Sequence, residues 1–521
     1  MSDARRLIAA TKVVSGITAC SRVLGMVRDV ICAAAFGAGP VWDAFAVAFQ
    51  IPNLFRRLFG EGALSAAMIP VFSRSYHSDG PDAARRLAGA VTGALLLILA
   101  VLVIGGEAII AAVLRWGDHT DKGRLALELT AVMLPYAPLV CLVAILGGML
   151  NVLRRFAAPA AAPIVLNLVL IATAAGAVWA AGLEPRAAIF VVAGAVVAAG
   201  VLQVGLQVVS LRGAGFGFRP RLDLASPPLR RIGRTMLPIT VGASAMQLSV
   251  LADSLIALWV ADAGGPSALY YASRLYQLPL ALFGIAMATV IFAQFSEYAA
   301  AGDRRRLGAL FGYGIRMAVF LGLPAGVALL VLARPIVALL FERGEFTPTN
   351  TVKVAGALRC YAAGIWAYSL QHIIVRLYYA LDDARTPART GVAMVGLNVG
   401  LSLLLVGPMD VAGIALATAI CAALQMAYLG WRVTRRLEGV AWGHVTTGIV
   451  RTAAASAILG GACWAAMRLT RGLPASTGWQ AARVVGFVVI GCVVYAAAAR
   501  SMRMDELRHI LGRGGPREPM P

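Results

Sequence analysis

The sequence predicts an all-α polytopic membrane protein of about fourteen transmembrane helices, two parallel six-helix repeats around a central cavity plus two C-terminal helices. Three observations predict this class. Of 521 residues, 60% are hydrophobic and only 14% charged, against about 45–50% and about 25% in soluble domains. Apolar runs of about 18 residues or more recur from end to end, each long enough to cross a bilayer. An ordered set of motifs in the first half returns in the second.

The spans are expected near 13–37, 43–72, 87–115, 129–153, 160–182, 187–211, 231–261, 267–297, 312–341, 355–380, 388–406, 411–434, 446–468 and 480–500. The first holds Arg22, Arg28 and Asp29 and lacks an A-x-A site after an uncharged core, so it reads as a retained span rather than a cleavable signal. The second is expected to bend at Pro52, which removes a helix hydrogen bond just before Arg56. Gly and Pro elsewhere inside spans are tolerated in membrane helices.

The repeat is read from Gln50-Ile51-Pro52, Leu58-Phe59-Gly60, Phe72-Ser73 and Tyr76 against Gln277-Leu278-Pro279, Leu282-Phe283-Gly284, Phe295-Ser296 and Tyr298. Arg85-Arg86-Leu87 matches Arg305-Arg306-Leu307, Tyr136-Ala137 matches Tyr361-Ala362, and Leu166-Asn167 matches Leu397-Asn398. Six spans separate the copies, an even number, so both halves share one orientation. Parallel repeats of this kind place a transporter's substrate site between halves near the midplane. The expected domains are residues 1–220, 221–436 and 437–521.

The net charge of +21 invites a nucleic-acid reading, and its distribution argues against one. With the N-terminus inside, about 27 basic residues, from Arg5 and Arg6 to Arg513 and Arg517, fall on one side and about ten on the other, the positive-inside asymmetry. Both termini are therefore expected in the cytoplasm. The seven cysteines stand singly in apolar stretches, so neither a disulfide framework nor a Cys/His metal site is indicated.

Charge inside the first two spans carries the chemistry. An Arg at the middle of a lipid-facing helix costs about 2.5–3.5 kcal/mol, so four on lipid would cost on the order of 10 kcal/mol. Arg22, Arg28, Arg56 and Arg57 therefore face water inside the protein, and a cationic water-filled cavity suits an anion. At 100° per residue, Arg22 and Asp29 share one stripe of the first span, with Ser21, Gly25 and Arg28 on the next. Arg28 with Asp29 also fits a structural ion pair. Arg57 and Glu61, four apart, are expected to pair, leaving Arg56 as the cation; snorkelling to the interface is its alternative. Arg274 is a lone cation just before the second Gln-Leu-Pro. A guanidinium donates two parallel hydrogen bonds to phosphate oxygens, so Arg22, Arg28, Arg56 and Arg274 together would clamp a diphosphate. Asp253 has nothing basic at helical spacing and is a candidate cation site. Asp382-Asp383 reads as a helix-end turn.

Ser21-Arg22-Val23-Leu24-Gly25, Arg28-Asp29, Phe36-Gly37-Ala38-Gly39, Asp43-Ala44-Phe45, Pro52-Asn53-Leu54-Phe55-Arg56-Arg57 and Glu61-Gly62-Ala63 closely resemble the MurJ (MviN) family, as do Tyr270-Tyr271 with Arg274-Leu275. The likeness runs from about residue 10 to about 435. It implies a fourteen-span member of the multidrug/oligosaccharidyl-lipid/polysaccharide exporter superfamily that flips lipid II, the undecaprenyl-diphosphate-linked peptidoglycan precursor, from the cytoplasmic to the periplasmic leaflet. It implies a cavity lined by Arg22, Arg28, Arg56 and Arg274 with Asp29 beside them; Ser21 and Asp43, from the resembling stretches, complete the candidate set. The last two spans would take the lipid tail. Some relatives bind sodium through an acid that Asp253 matches, so coupling to sodium or to the membrane potential is open. No cofactor or enzymatic activity is expected. The expected partners are lipid II, membrane lipids and other cell-wall synthesis proteins, in the bacterial inner membrane. Flipping of another polyprenyl-linked glycan, cation-coupled drug export and an enzyme acting on polyprenyl phosphates are the alternatives.

Overall fold

The computed structural model describes residues 3–58, 64–470, 472 and 476–510. Phe59, Gly60, Glu61, Gly62 and Ala63 of the motifs above, and Arg513 and Arg517 of the basic tail, lie outside the described residues. The described chain is helical throughout, without strands.

Contacts divide it into two compact units, Met1–Trp259 with Arg343–Phe346, and Val260–Glu342 with Thr347–Pro521. The first contains α1 (Asp3–Phe36), α2 (Pro40–Phe55), α3 (Leu64–His77), α4 (Pro81–Trp116), α5 (Asp121–Met133), α6 (Tyr136–Val152), α7 (Ala157–Ala175), α8 (Pro185–Gly213) and α9 (Pro227–Trp259). The second contains α10 (Gly265–Pro279), α11 (Ala286–Ala300), α12 (Arg304–Phe341), α13 (Pro348–Ala363), α14 (Ile365–Ala380), α15 (Arg385–Met409), α16 (Val411–Thr434), α17 (Trp442–Leu469), α18 (Thr477–Ser501) and α19 (Asp505–Ile510).

Among the described residues, nine helices are long and apolar enough to span a membrane, and the α5–α6 pair, bent by 43°, makes a tenth. The remaining expected spans coincide with α1, α2–α3, α9 and α13–α14, each of which carries several charges or a break.

Two spans expected as single helices, 129–153 and 355–380, are instead two helices in series, and those at 43–72 and 267–297 each carry a π-type turn at a matching place in the repeat. After Pro52, α2 gives way to a wide π-type turn at residues 56–58, and after Pro279, α10 gives way to one at Leu280–Ile285. Pro135 separates α5 from α6, and Gly364 separates α13 from α14, next to the matched Tyr-Ala pairs.

In unit one α1 packs on α7, α2 on α5, and α9 on α2 and α3. In unit two α12 packs against α13, α14 and α17 around Phe295, Phe311, Leu377, Tyr378 and Leu429. The segments that follow the sixth and the twelfth expected spans are each seated within one unit. In unit one Arg221 N–H donates to the Gly89 carbonyl at 2.9 Å, and a Cβ on Gly93 would collide with the Arg221 carbonyl. In unit two a Cβ on Gly308 would collide with the Glu438 carbonyl. Only glycine permits such approach of backbone to helix.

Candidate functional site

The first-span charges form a network with α7. Arg28 and Asp29 are 8% and 3% exposed, and charges buried to that degree must be paired. Arg28 Nε and Nη2 both donate to Asp29 Oδ1, at 3.1 and 2.7 Å, and Nη1 donates to Asn167 Oδ1 at 3.0 Å. Asn167 Nδ2 donates in turn to the Ser21 carbonyl at 3.1 Å. Gly25, between Ser21 and Arg28, faces this crossing: a Cβ there would lie 3.6 Å from Asn167 Nδ2, in ordinary contact. The ion pair that the sequence allowed is thus present, with α7 holding its far side. Arg22, one and a half turns earlier, is exposed.

Asp43 is 0% exposed in the first turn of α2, where the helix dipole favours a carboxylate. Beside it Trp42 stacks between Phe36 and Phe45, with centroids 5.7 and 4.8 Å away, which fixes the start of the helix. At the other end, in the turn after Pro52, Arg56 Nε donates to Asn53 Oδ1 at 2.7 Å. Arg57 Nη1 donates to Gln247 Oε1 of α9 at 2.9 Å. Its expected partner, Glu61, lies outside the described residues.

On α9, Asp253 and Ser254 are both buried. Gln50 Nε2 donates to Ser254 Oγ at 2.6 Å, and Gln50 Oε1 is a buried oxygen without a hydrogen-bond partner. The Asp253 carboxylate and the Gln50 amide oxygen are both of the oxygen type that a hard cation takes. No cluster of three His, Cys, Asp or Glu side chains occurs among the described residues.

In unit two, Arg274 is half-buried on α10. Its guanidinium carbon lies 4.9 Å from the centre of the Tyr270 ring and Nη2 is 3.3 Å from the Tyr270 hydroxyl, one turn back. Tyr270 thereby holds the guanidinium without neutralising it.

Asp383, between α14 and α15, accepts from Thr386 N–H at 3.0 Å, Thr386 Oγ1 at 2.9 Å and Arg436 Nη1 at 2.9 Å. Burial pushes its pKa up, but the Thr386 donors and Arg436 outweigh it and hold the carboxyl below its ordinary value. A depressed carboxylate contributes stability above its unfolded pKa that is lost as pH falls through the folded one. Asp383→Asn should therefore lower the melting temperature at pH 7, and the two curves should converge below about pH 4. A gap that persists at low pH would assign the effect to the side-chain amide instead.

Ser21, Arg28 and Asp29 are brought together through Asn167; Arg56 bonds Asn53, and beside Asp253 it is Ser254 that Gln50 bonds. Sequence reasoning missed Asn167, Gln50, Ser254 and Gln247 as partners. The available signal was the repeated Leu-Asn pair at 166–167 and 397–398, since an amide inside an apolar span needs a partner.

A family model described as Lipid II flippase MurJ matches residues 32–480. The chain is 36% identical over 507 residues to a probable lipid II flippase MurJ of Rhizobium meliloti (strain 1021), covering 93% of this chain and 92% of that protein. It is 34% identical over 514 residues to a probable lipid II flippase MurJ of Vibrio cholerae, covering 95% of each. A solved structure titled Lipid II flippase MurJ, inward closed conformation, superposes with TM-score 0.76 at 23% identity, covering 94% of this chain and 99% of that one; at that identity it speaks for the fold.

Proposed function

Because the chain belongs to the MurJ family, we propose that it flips lipid II, as a multi-pass protein of the bacterial inner membrane and not as an enzyme. The observation that carries this reading is the Arg28–Asp29–Asn167 network, which fixes a guanidinium inside a membrane-length helix, with Nε and Nη2 on Asp29 and Nη1 on Asn167. Lipid II presents a diphosphate, and guanidinium suits it because two N–H groups meet two phosphate oxygens at once.

In this proposal the residues that bind the diphosphate are Arg22, Arg28, Arg56 and Arg274. Asp29 orients Arg28, and Ser21 and Asp43 belong to the same substrate site. Transport proceeds by alternating access, from cytoplasmic to periplasmic leaflet, with both termini cytoplasmic. A potential negative inside favours outward movement of headgroup charge by about 2.3 kcal/mol per charge per 100 mV. Sodium at Asp253 is the proposed alternative drive, with Gln50 supplying an oxygen.

The test is lipid II accessibility at the outer leaflet in cells depleted of their own flippase. The parent chain should restore it, and Arg274→Ala, at matched expression, should lower it at least tenfold, the loss of one charge-assisted fork of about 1.5–3 kcal/mol. A parent that reaches the membrane and restores nothing would move the substrate to another polyprenyl-linked glycan. An Arg274→Ala variant as active as the parent would remove Arg274 from the site.

A further inference from the structure

Between Glu438 and Asp505 the chain contains no acidic residue, yet it carries Arg451, Arg468, Arg483 and Arg500 within α17 and α18. Among the described residues none of the four forms a salt bridge. Arg451, Arg468 and Arg500 are exposed. Arg483 is half-buried, and its Nε is buried without a hydrogen-bond partner.

The packing of the hairpin sets their heights. Cys463 Sγ lies 3.5 Å from the Phe487 carbonyl, and a Cβ on Gly491 would lie 3.6 Å from Leu459 Cγ. This antiparallel register, continued one residue at a time, puts Arg468 level with Ala482, adjacent to Arg483. In the other direction it puts Arg451 level with Ala499, adjacent to Arg500. The arginines therefore stand in two tiers, each with one member per helix. On α17 the tiers are 17 residues apart, and on α18 also 17, which at 1.5 Å per residue is about 26 Å. A bilayer's hydrocarbon core is about 27–33 Å thick, so the tiers reach its two boundaries. Tryptophan marks the tier at the loop end: Arg468 packs over the Trp464 ring at 4.8 Å, and Trp464 and Trp479 are half exposed, as interfacial anchors are.

We propose that the α17–α18 hairpin is a two-tier clamp for anionic phospholipid, Arg468 with Arg483 binding a headgroup phosphate of one leaflet and Arg451 with Arg500 one of the other. Phosphate is the anion found at that depth, and α17 and α18 themselves hold no carboxylate. The guanidinium edge formed by Nε and Nη of Arg483 is a matching donor pair.

The test is native mass spectrometry of the full chain in detergent, titrated with phosphatidylglycerol or phosphatidylcholine. Phosphatidylglycerol should bind preferentially, and R468Q/R483Q should weaken its binding roughly 30-fold, about fivefold per arginine. R468K/R483K should retain most of it. If the double variant fails to fold, Arg468→Gln alone, at an exposed position, should still cost about fivefold. Unchanged phosphatidylglycerol binding in either variant overturns the clamp, as does equal loss of both lipids. Displacement of bound phosphatidylglycerol by a polyprenyl diphosphate would overturn the phospholipid assignment and give the tier to the transported lipid. This clamp stands whether or not the chain flips lipid II, so failure of one reading leaves the other in place.

Discussion

Arg28→Ala is expected to abolish lipid II export and to destabilise the protein by roughly 3–5 kcal/mol, because removing one partner leaves the Asp29 charge buried and uncompensated. The two effects are separable. Arg28→Ala/Asp29→Ala removes both charges, so most of the stability should return while export stays absent. Arg28→Lys keeps the charge but cannot reproduce three directed contacts to Asp29 and Asn167, and should export weakly. Thermal unfolding in detergent and outer-leaflet accessibility in cells are the two readouts. Export recovered in the double variant would show that Arg28 only neutralises Asp29, and the diphosphate role would pass to the remaining arginines.

Glu506→Ala is expected to release α19 from unit two. Glu506 is 4% exposed, and its Oε1 lies 3.5 Å from Arg316 Nε on α12. It also borders α17, since a Cβ on Gly448 would lie 3.5 Å from the same Oε1. Loss of the carboxylate leaves Arg316 facing an apolar seam, which should cost roughly 3 kcal/mol. Nearby, the Tyr313 and His509 rings meet edge to face at 5.8 Å, so cleavage by a protease near Arg508 reports the release directly. Arg316→Met/Glu506→Met should restore protection, because an apolar pair of similar volume often replaces a buried ion pair without loss. Protection unchanged in Glu506→Ala would mean that apolar packing alone holds α19.

The fold was legible because its signals are local. Length and apolarity of each run identify a span, and Pro52 announces the end of α2. The internal repeat was legible as well, and the backbone carries it further than the motifs did, into the π-type turns after Pro52 and Pro279. What sequence reasoning treated as uninterrupted spans at 129–153 and 355–380 are broken at Pro135 and Gly364, and nothing in their apolar content distinguishes a kinked span from a straight one.

The sequence by itself determined the class, the positions of the spans and the residue types of the candidate site, because charge within an apolar run is costly wherever the helix packs. Only the tertiary structure decided which groups meet. Arg28 finds Asn167 across 139 residues of chain because α7 packs on α1, and Arg57 reaches Gln247 because α9 packs with the first unit. Glu506 is buried because α19 folds back onto α12. Partner choice depends on the distance between helix surfaces, and that distance is set by packing between segments remote in the chain, which no local pattern encodes.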